Sequence, residues 1–354
     1  MRILVLPCDG IGPEITKAAM SVLEAASKAF DLNLTYDYDD VGFVSLQKYG
    51  TTLRDEVLEK AKTYDGIILG PQSHMDYISL GEGGRNVSAS FRVGLDLYAN
   101  VRPARSRPIL GKGVPNMDIV IMREVTEGFY PDRNMFIGFG EVMPTPDIAL
   151  SIRKITAHGS ERIARRAFEL AMKRRKQVTA VHKVSCFKLT DGMFLDQARK
   201  VAKEFPEVKF NEVLVDAMAA HLVRDASRFD VILASNFYGD ILSDLASELS
   251  GSIGLAGAIL AGDTLCCAQA QHGSAPDIQG RDIANPTSMI LSVAMLIQWI
   301  GEHQNNHALS KAGKAMEMTV DRVLSDPASR TADIGGSLGC EAFGKRVAEA
   351  VHTT

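Results

Sequence analysis

The sequence has no excess of positive charge and lacks the composition of a fibrous or disordered protein. Its 39 Lys and Arg residues stand against 43 Asp and Glu residues, a formal net charge of −4. A nucleic-acid-binding protein uses a basic excess to neutralise phosphates, so this balance argues against nucleic acid as a partner. Hydrophobic residues make up 46% and charged residues 23% of the 354-residue chain. These proportions are typical of a globular protein, and the length favours about two domains.

The sequence also lacks long apolar runs and the cysteine spacing of a disulfide framework. No run approaches the roughly 18–20 residues that a membrane helix requires. The short apolar stretch Arg2–Leu6 is not followed by the cleavage site of a signal peptide. The five cysteines are an odd number and show no framework spacing. We therefore expect no membrane partner and a reducing, cytoplasmic location.

Strand-like apolar runs alternate with helical patterns along the chain, which predicts an α/β fold. The predicted strands are Ile3–Leu6, Gly66–Leu69, Ile119–Met122, Val178–His182 and Val231–Ala234. The predicted helices are Glu14–Phe30, Ser160–Arg175, Asp191–Glu204, Ile241–Ser250, Pro286–Gly301 and Leu309–Leu324. Glycine-rich stretches at Gly111–Gly113 and Gly251–Gly262 indicate crossings between domains. We expect residues 99–251 to form one domain, and residues 1–98 and 252–354 to form the other.

The segment Asp9–Glu14, between the first strand and the first helix, is similar to the beginning of a dinucleotide-binding motif. The third glycine position of that motif holds Ile15, and Pro13 stiffens the turn that would approach a phosphate. The segment therefore predicts a structural turn rather than a Rossmann site.

A more informative pattern follows the predicted strand that ends at Ala234. Asp240 and Asp244 are four residues apart, which places both carboxylates on one face of a helix. Carboxylates beyond the carboxyl end of a strand suit Mg²⁺ or Mn²⁺, and Asp216, at the end of another apolar run, is a third candidate ligand. Acidic residues are also favoured at a helix start by the helix dipole, so the spacing alone leaves both interpretations open.

Several basic and phenolic side chains lie at strand ends or beside apolar stretches. Arg92, Arg102 and Arg123 favour a substrate with several carboxylates, because arginine binds carboxylates through paired hydrogen bonds. Each arginine taken alone is equally typical of a solvated surface. Lys183 follows a buried strand, where a nearby metal would lower its pKa toward that of a general base, and Tyr130 is a candidate proton donor.

Together these segments closely resemble the β-decarboxylating dehydrogenases, which include isopropylmalate, isocitrate, homoisocitrate and tartrate dehydrogenases. The resemblance covers nearly the whole chain in order. Its segments are Asp9–Glu14, Leu97–Pro103, Arg123–Tyr130, His182–Lys183, Val215–Asp216, Asn236–Leu260 and His272–Pro286. It implies two α/β domains with a central cleft, in a homodimer whose active sites take residues from both chains. It also implies oxidative decarboxylation of a malate-type 2-hydroxy-3-carboxy acid.

The resemblance assigns a role to each candidate residue. Substrate carboxylates are expected at Arg92, Arg102 and Arg123, with Ser88 beside them; Tyr130 and Lys183 match the catalytic pair. Asp240 and Asp244 match the metal ligands of one subunit, and Asp216 matches the ligand from the other, with Lys183 also reaching across. The cofactor residues are Ile11, His272, Gly273, Ser274, Ala275, Asp277, Ile278 and Asn285. We expect NAD, because a carboxylate at Asp277 suits the ribose hydroxyls and repels the 2′-phosphate of NADP.

Three departures from the family pattern concern the expected cofactor site, in the first two cases, and the substrate, in the third. Ser185 stands where an Asn is usual, and Gln269 stands where a Glu is usual. Ser88 and Ala89 occupy the place of a leucine pair that isopropylmalate enzymes use as an apolar wall. Because each buried CH₂ contributes about 0.8 kcal/mol, we expect a small or polar C3 substituent.

Three alternatives stay open at this point. The first is 3-isopropylmalate dehydrogenase proper, of leucine biosynthesis. The second is a non-catalytic regulatory subunit of a heteromeric dehydrogenase, although the catalytic and metal-binding residue types are all present. The third is a metal-dependent lyase or hydrolase on the same scaffold, which would not bind NAD.

Overall fold

The computed structural model describes residues 1–111 and 113–352; Lys112, in the first predicted crossing, lies outside them. The chain divides into two compact units. The first unit comprises Met1–Leu95, a short segment that begins at Arg107, and the chain from Gly251 onward. The second unit comprises Asp96–Ser106 and Gly113–Ser250.

Strands and helices alternate through both units, which confirms the predicted α/β class. The strands are β1 (Arg2–Leu6), β2 (Thr35–Tyr38), β3 (Gly66–Leu69), β4 (Ala99–Arg105), β5 (Asp118–Glu124), β6 (Glu141–Thr145), β7 (Ile148–Ser151), β8 (Gln177–His182), β9 (Lys209–Leu214), β10 (Val231–Ala234), β11 (Ile259–Ala261) and β12 (Cys266–Gln269). The helices are α1 (Gly12–Ala29), α2 (Phe43–Tyr49), α3 (Asp55–Ala61), α4 (Val87–Gly94), α5 (Ala157–Met172), α6 (Thr190–Ala202), α7 (Val215–Asp225), α8 (Asn236–Ser250), α9 (Thr287–His303), α10 (His307–Ser325) and α11 (Cys340–Ala350).

The sheet of the first unit runs in the order β2-β1-β3-β12-β11. β1 pairs in parallel with β2 and β3, β12 is parallel to β3, and β11 is antiparallel to β12. β3 is buried along its whole length, as expected for a parallel strand covered on both faces. Helix α1 buries an apolar stripe that includes Ile15, Val22 and Leu23, and it packs against α9 and α11.

The sheet of the second unit runs in the order β4-β5-β10-β8-β9. Its last four strands are parallel, and β4 is antiparallel to β5. The carboxyl ends of the four parallel strands therefore meet at one edge, which is where open α/β sheets bind ligands. Helix α8 follows β10 at this edge and begins at Asn236, five residues before the predicted start, so Asp240 lies inside the helix.

A hairpin of β6 and β7 extends from the second unit with all of its residues exposed. Its exposed side chains include Val142, Met143, Ile148 and Leu150. All five cysteines are free thiols. Among the described helices, none combines the length and the apolar character needed to cross a lipid bilayer.

Candidate active site

Arg123, at the end of β5, is the centre of a polar cluster in the second unit. Its side chain is 1% exposed, and Nε donates to the backbone oxygen of Asn236 at 2.9 Å. Nη2 donates to Oδ1 of the same asparagine at 2.6 Å and to the hydroxyl of Tyr130 at 2.9 Å, while Nη1 donates to Asp240. Gly239 makes this approach possible, because a Cβ there would lie 2.6 Å from Cγ of Arg123. The helix and the buried arginine are thus fixed to one another.

Arg102, on β4, joins the same cluster from the neighbouring strand. Its Nη1 donates to Ser243 at 2.7 Å and lies 3.3 Å from Asp240 and 3.4 Å from Asp244. Burial, followed by the charge of Arg123, lowers the pKa of Arg102 to about 10, against the opposing effect of the two aspartates. The guanidinium remains protonated near neutral pH. The positive charges of two arginines and the negative charges of two aspartates therefore balance one another at this edge of the sheet.

Tyr130 completes the cluster. Its hydroxyl donates to Oδ2 of Asp240 at 3.0 Å and accepts from Arg123. Arg133 also lies over its ring, 5.0 Å from the centroid. The phenol is therefore held beside the carboxylate that two of the three predicted substrate arginines, Arg102 and Arg123, contact.

Lys183 and Asp216 form a second, separate pair at the same edge of this sheet. The lysine follows β8, the aspartate opens α7 after β9, and Nζ lies 2.5 Å from Oδ1. This hydrogen bond raises the pKa of Lys183 and lowers the pKa of Asp216. The lowered lysine pKa is predicted for a site that holds a metal, and it stays a prediction; here the carboxylate of Asp216 pairs directly with the ammonium.

The predicted metal ligands divide between these two groups. Asp240 and Asp244 lie on one face of α8 and keep 41% and 54% of their side-chain surface exposed. Within the described part of one chain, Asp216 does not join them in a three-ligand cluster. The three residues whose ligand atoms do lie within 4.8 Å of one another are Glu14, Asp282 and Cys340, in the first unit. The partly exposed oxygen donors of α8 suit a hard divalent cation such as Mg²⁺ or Mn²⁺.

Arg92 and Ser88 lie in the first unit, four residues apart on α4 and so on one face of that helix. Asn86 caps the helix by accepting a hydrogen bond from Ala89 at 3.0 Å. The backbone N–H of Ser88 donates to Oε1 of Gln72 at 2.8 Å, and its hydroxyl donates to Gln269 at 3.2 Å. The position predicted to contact the C3 substituent is thus surrounded by amides and not by leucines.

The Asp9–Gly12 segment is a turn that supports the predicted cofactor loop. Asp9 is 4% exposed and accepts hydrogen bonds from the backbone of Phe43 at 2.8 Å and of Ser73 at 3.1 Å. Gly10 has a φ of +57°, and a Cβ there would lie 2.0 Å from the backbone oxygen of Ser274. That oxygen accepts from the N–H of Ile11 at 2.9 Å. The turn therefore contributes to the predicted cofactor site indirectly, by supporting the backbone of the loop at Ser274.

The loop itself carries the other predicted cofactor residues. Gly273 is exposed, Ser274 is buried, and the hydroxyl of Ser274 lies 2.8 Å from that of Ser73. Ala275 has a φ of +39° and precedes a short 3-10 turn that includes Asp277 and Ile278. Asp277 is exposed to solvent. The loop therefore presents one carboxylate beside a rigid backbone.

Two further cofactor candidates already have local partners. Nδ1 of His272 lies 2.9 Å from the backbone oxygen of Gly273, and Nε2 is buried with no hydrogen-bond partner among the residues that the structure describes. Burial lowers the histidine pKa. Asn285 donates to Asp333 at 2.9 Å and accepts from the backbone of Thr287 at 3.0 Å. The asparagine therefore braces the start of α9, a role that its sequence position does not reveal.

The structure adds three site residues that sequence analysis missed. Asn236 binds Arg123 and donates to the backbone of Glu127 at 2.7 Å, Ser243 accepts from Arg102, and Gln72 holds the N–H of Ser88. Asn236 and Ser243 lie within the Asn236–Leu260 segment of the resemblance but carry no charge. Gln72 lies 16 residues before Ser88, so no local spacing connects the two.

Comparison with known proteins shows the family to which the chain belongs. The family model of isocitrate/isopropylmalate dehydrogenase matches residues 2–347. A 3-isopropylmalate dehydrogenase of Archaeoglobus fulgidus is 40% identical over 348 residues, covering 98% of each chain. An isocitrate/homoisocitrate dehydrogenase of Thermus thermophilus is 40% identical over 359 residues, covering 99% of each. The crystal structure of isocitrate dehydrogenase from Methylococcus capsulatus superposes with a TM-score of 0.87 at 37% identity, covering 99% of each chain. The resemblance found in the sequence is confirmed: the chain belongs to the isocitrate/isopropylmalate dehydrogenase family and is a decarboxylating dehydrogenase.

Proposed function

We propose that the chain uses NAD and Mg²⁺ or Mn²⁺ to decarboxylate a malate-type 2-hydroxy-3-carboxy acid oxidatively. The observation that carries this proposal is the convergence of Arg102, Arg123 and Tyr130 on Asp240, at the carboxyl ends of parallel strands. The same convergence argues against a regulatory subunit, because every group of the expected chemistry is present and ordered.

Charge matching supports an anionic substrate. The two arginines and the aspartates Asp240 and Asp244 carry no net charge together. A divalent cation at the aspartates leaves the cluster with two positive charges, which match the two carboxylates of a malate-type acid. Arg102 and Arg123 can each present a planar fork of donors to a carboxylate. Asp240, which engages both arginines, keeps them apart and oriented before substrate enters.

Proton transfers in the proposed reaction fall to Lys183 and Tyr130. When bound, the divalent cation polarises the substrate oxygens as a Lewis acid, and NAD accepts the hydride from C2. After the ammonium of Lys183 loses one proton to solvent, the neutral amine takes the proton of the C2 hydroxyl; the hydrogen bond to Asp216 opposes that loss, because it raises the lysine pKa. After CO₂ leaves, the hydroxyl of Tyr130 delivers a proton to C3, and its bond from Arg123 stabilises the resulting phenolate.

The choice of NAD rests on Asp277. Its carboxylate is exposed on a loop that Ile11 and Ser73 anchor through Ser274. A carboxylate accepts hydrogen bonds from the two hydroxyls of an adenosine ribose and repels a 2′-phosphate.

The preference for a small or polar C3 substituent rests on the surroundings of Ser88. Its backbone N–H donates to Gln72, and its hydroxyl donates to Gln269. A branched alkyl group placed against these amides would remove polar atoms from water without replacing their hydrogen bonds. The likeness to 3-isopropylmalate dehydrogenases keeps that enzyme as the second candidate.

We further propose a homodimer with shared active sites in a reducing, cytoplasmic compartment. The hairpin of β6 and β7 supports the dimer, because Val142 and Leu150 are cross-strand partners that are 47% and 53% exposed. Exposed apolar side chains of this kind mark interaction surfaces. Analytical ultracentrifugation tests the dimer: V142D/L150D should sediment as a monomer, and an unchanged dimer would exclude this hairpin as its contact. The five free cysteines support the reducing compartment.

Steady-state assays test the proposed reaction directly. D-malate, tartrate, isocitrate, homoisocitrate and 3-isopropylmalate are compared with NAD and NADP, each with and without Mn²⁺. We expect NAD- and Mn²⁺-dependent turnover, with the highest kcat/KM on an acid that has a small or polar C3 group. Dominant turnover of 3-isopropylmalate would favour the second candidate, and absence of turnover on every acid would refute the proposal.

A further inference from the structure

The turn that carries Lys183 is held by a buried carboxylate. Asp191, in the first turn of α6, is 1% exposed, and one of its oxygens accepts a hydrogen bond from the backbone N–H of Lys183. The same oxygen accepts from the hydroxyl of Tyr238 at 3.2 Å.

The other oxygen of Asp191 pairs with Arg153 at 2.5 Å, and these two side chains are only 2% and 5% exposed. Arg153 also donates to the hydroxyls of Thr190 at 3.2 Å and Ser235 at 3.1 Å. Its guanidinium lies between three aromatic rings. These rings are Phe129 and Phe187, each 5.3 Å from the guanidinium carbon, and Tyr238, at 5.0 Å.

This buried pair links three segments of the proposed site. Phe129 precedes Tyr130, Phe187 lies in the turn after Lys183, and Tyr238 lies two residues before Asp240. A buried ion pair costs desolvation energy that its attraction barely repays, and apolar replacements are often as stable. The pair therefore contributes to the relative position of these three segments as well as to the stability of the fold.

We propose that Asp191 and Arg153 are positioning residues that set the place of Lys183 for proton transfer. This inference rests on the proposed function, since it assumes that Lys183 acts on the substrate. Asp191 fixes the backbone of Lys183, and Arg153 fixes Asp191 while its aromatic contacts keep the Tyr130 segment and α8 in register with that turn. Neither residue needs to touch the substrate.

The chain offers a matched control in a second buried aspartate. Asp230 is fully buried, accepts from Nε of Arg174 at 2.7 Å, and accepts from the backbone N–H of Arg175 at 2.8 Å. It precedes β10 and so lies at the amino end of that parallel strand, opposite the site. D191N and D230N thus remove the same type of charge from the same type of environment.

The test compares both variants by kinetics on the best acid of the substrate panel and by thermal unfolding. We expect both to lower Tm, but only D191N to lower kcat, by about 100-fold, with the KM for NAD nearly unchanged. R153M should behave like D191N, and R153K, which retains a charged donor, should recover much of the lost kcat. A D191N enzyme within about twofold of the wild-type kcat, or an equal loss in D230N, would overturn the inference.

A second readout separates this inference from the proposed function. The rate at which trinitrobenzenesulfonate labels Lys183 is measured by peptide mass spectrometry in the wild type, D191N and D230N. A displaced lysine turn should change the labelling rate in D191N alone. If the wild-type chain turns over none of the acids, the proposed function fails. Equal labelling rates in all three proteins would then refute the positioning role independently.

Discussion

The hydroxyl of Tyr130 lies 3.0 Å from Oδ2 of Asp240, while Oδ1 of that carboxylate accepts a hydrogen bond from Arg123. Arg123 also donates to the Tyr130 hydroxyl at 2.9 Å, so the three side chains form a closed ring of hydrogen bonds. A proposed proton donor, a proposed substrate ligand and a proposed metal ligand are therefore mutually oriented. Changing any one of them should affect the other two.

Replacing Tyr130 by phenylalanine removes the hydroxyl and leaves the ring in place. Because general acid catalysis contributes about 10²–10⁴-fold, we expect Y130F to lower kcat within that range and to leave the KM for NAD nearly unchanged. The matched control is Y98F, since Tyr98 also lies in the second unit and its hydroxyl also accepts a hydrogen bond from an arginine, Arg166, at 3.0 Å. Steady-state kinetics of both variants check the prediction. Equal losses in Y130F and Y98F would assign the effect to packing.

Replacing Asp244 by asparagine should weaken metal binding without disturbing Arg123. The carboxylate is 54% exposed and lies 3.4 Å from Arg102, so the variant should fold normally. Loss of one anionic ligand should raise the Mn²⁺ concentration at half-maximal activity by about tenfold or more. E248Q is the control, because Glu248 is exposed one turn further along α8. A metal titration that is identical in D244N and the wild type would contradict the assignment.

Replacing Asp277 by lysine should reverse the charge that meets the ribose. We expect the ratio of kcat/KM for NAD to kcat/KM for NADP to fall by about tenfold or more, because repulsion of the 2′-phosphate becomes attraction. E349K, on the exposed face of α11, makes the same change in net charge elsewhere in the first unit. This ratio is measured for both variants at the same salt concentration. A ratio that E349K lowers as much as D277K would indicate a general charge effect.

The buried His182 predicts a pH dependence of stability. Burial lowers its pKa below the usual 6.5, against the opposing charges of Glu212 and Asp191. The unfolded chain therefore takes up the proton first, so the contribution to stability is complete above about pH 6.5 and is lost as the pH falls toward the folded-state pKa. H182N retains an acceptor for the N–H of Val184, which lies 3.2 Å from Nδ1 in the wild type.

Urea unfolding at several pH values from about 7.5 to 5.5 measures this effect. The wild type should lose more free energy of unfolding over that interval than H182N. The control is H158N, because His158 is exposed at the start of α5. Parallel curves for the wild type and H182N would exclude His182 as the source of the acid sensitivity.

Sequence patterns predicted the fold more completely than they predicted the site. Apolar runs such as Gly66–Leu69 are confirmed as β3 at the same residues, because a strand buried on both faces leaves an uninterrupted signal. The hairpin from Glu141 to Ser151 was not predicted, since its side chains are exposed on both faces and carry no alternation. The hairpin therefore lacks the alternation of buried and exposed side chains from which a strand is predicted.

Within the site, charged residues at strand ends were predicted and their partners were not. The pairing of Arg123 with Asp240 spans 117 residues and depends on the order of the parallel strands, which spacing along the chain does not encode. Neutral groups such as Asn236 gave no electrostatic signal, although this side chain is 1% exposed and binds the buried arginine. The pairing of Lys183 with Asp216 was likewise not predicted, because it is also a long-range contact.

The loop of Ser88 and Ala89 gives the most direct test of substrate choice. S88L/A89L restores two apolar side chains and removes the hydrogen bond from Ser88 to Gln269. Each added CH₂ that packs against the substrate contributes about 0.8 kcal/mol, so the kcat/KM for 3-isopropylmalate relative to D-malate should rise by about tenfold or more. S88A is the control, because it removes the same hydrogen bond without building an apolar wall. If S88A shifts the preference as far as S88L/A89L does, then polarity and not apolar contact excludes the alkyl group. If neither variant shifts it, Gln72 and the rest of the loop do not face the C3 substituent, and the proposed substrate preference loses its structural basis.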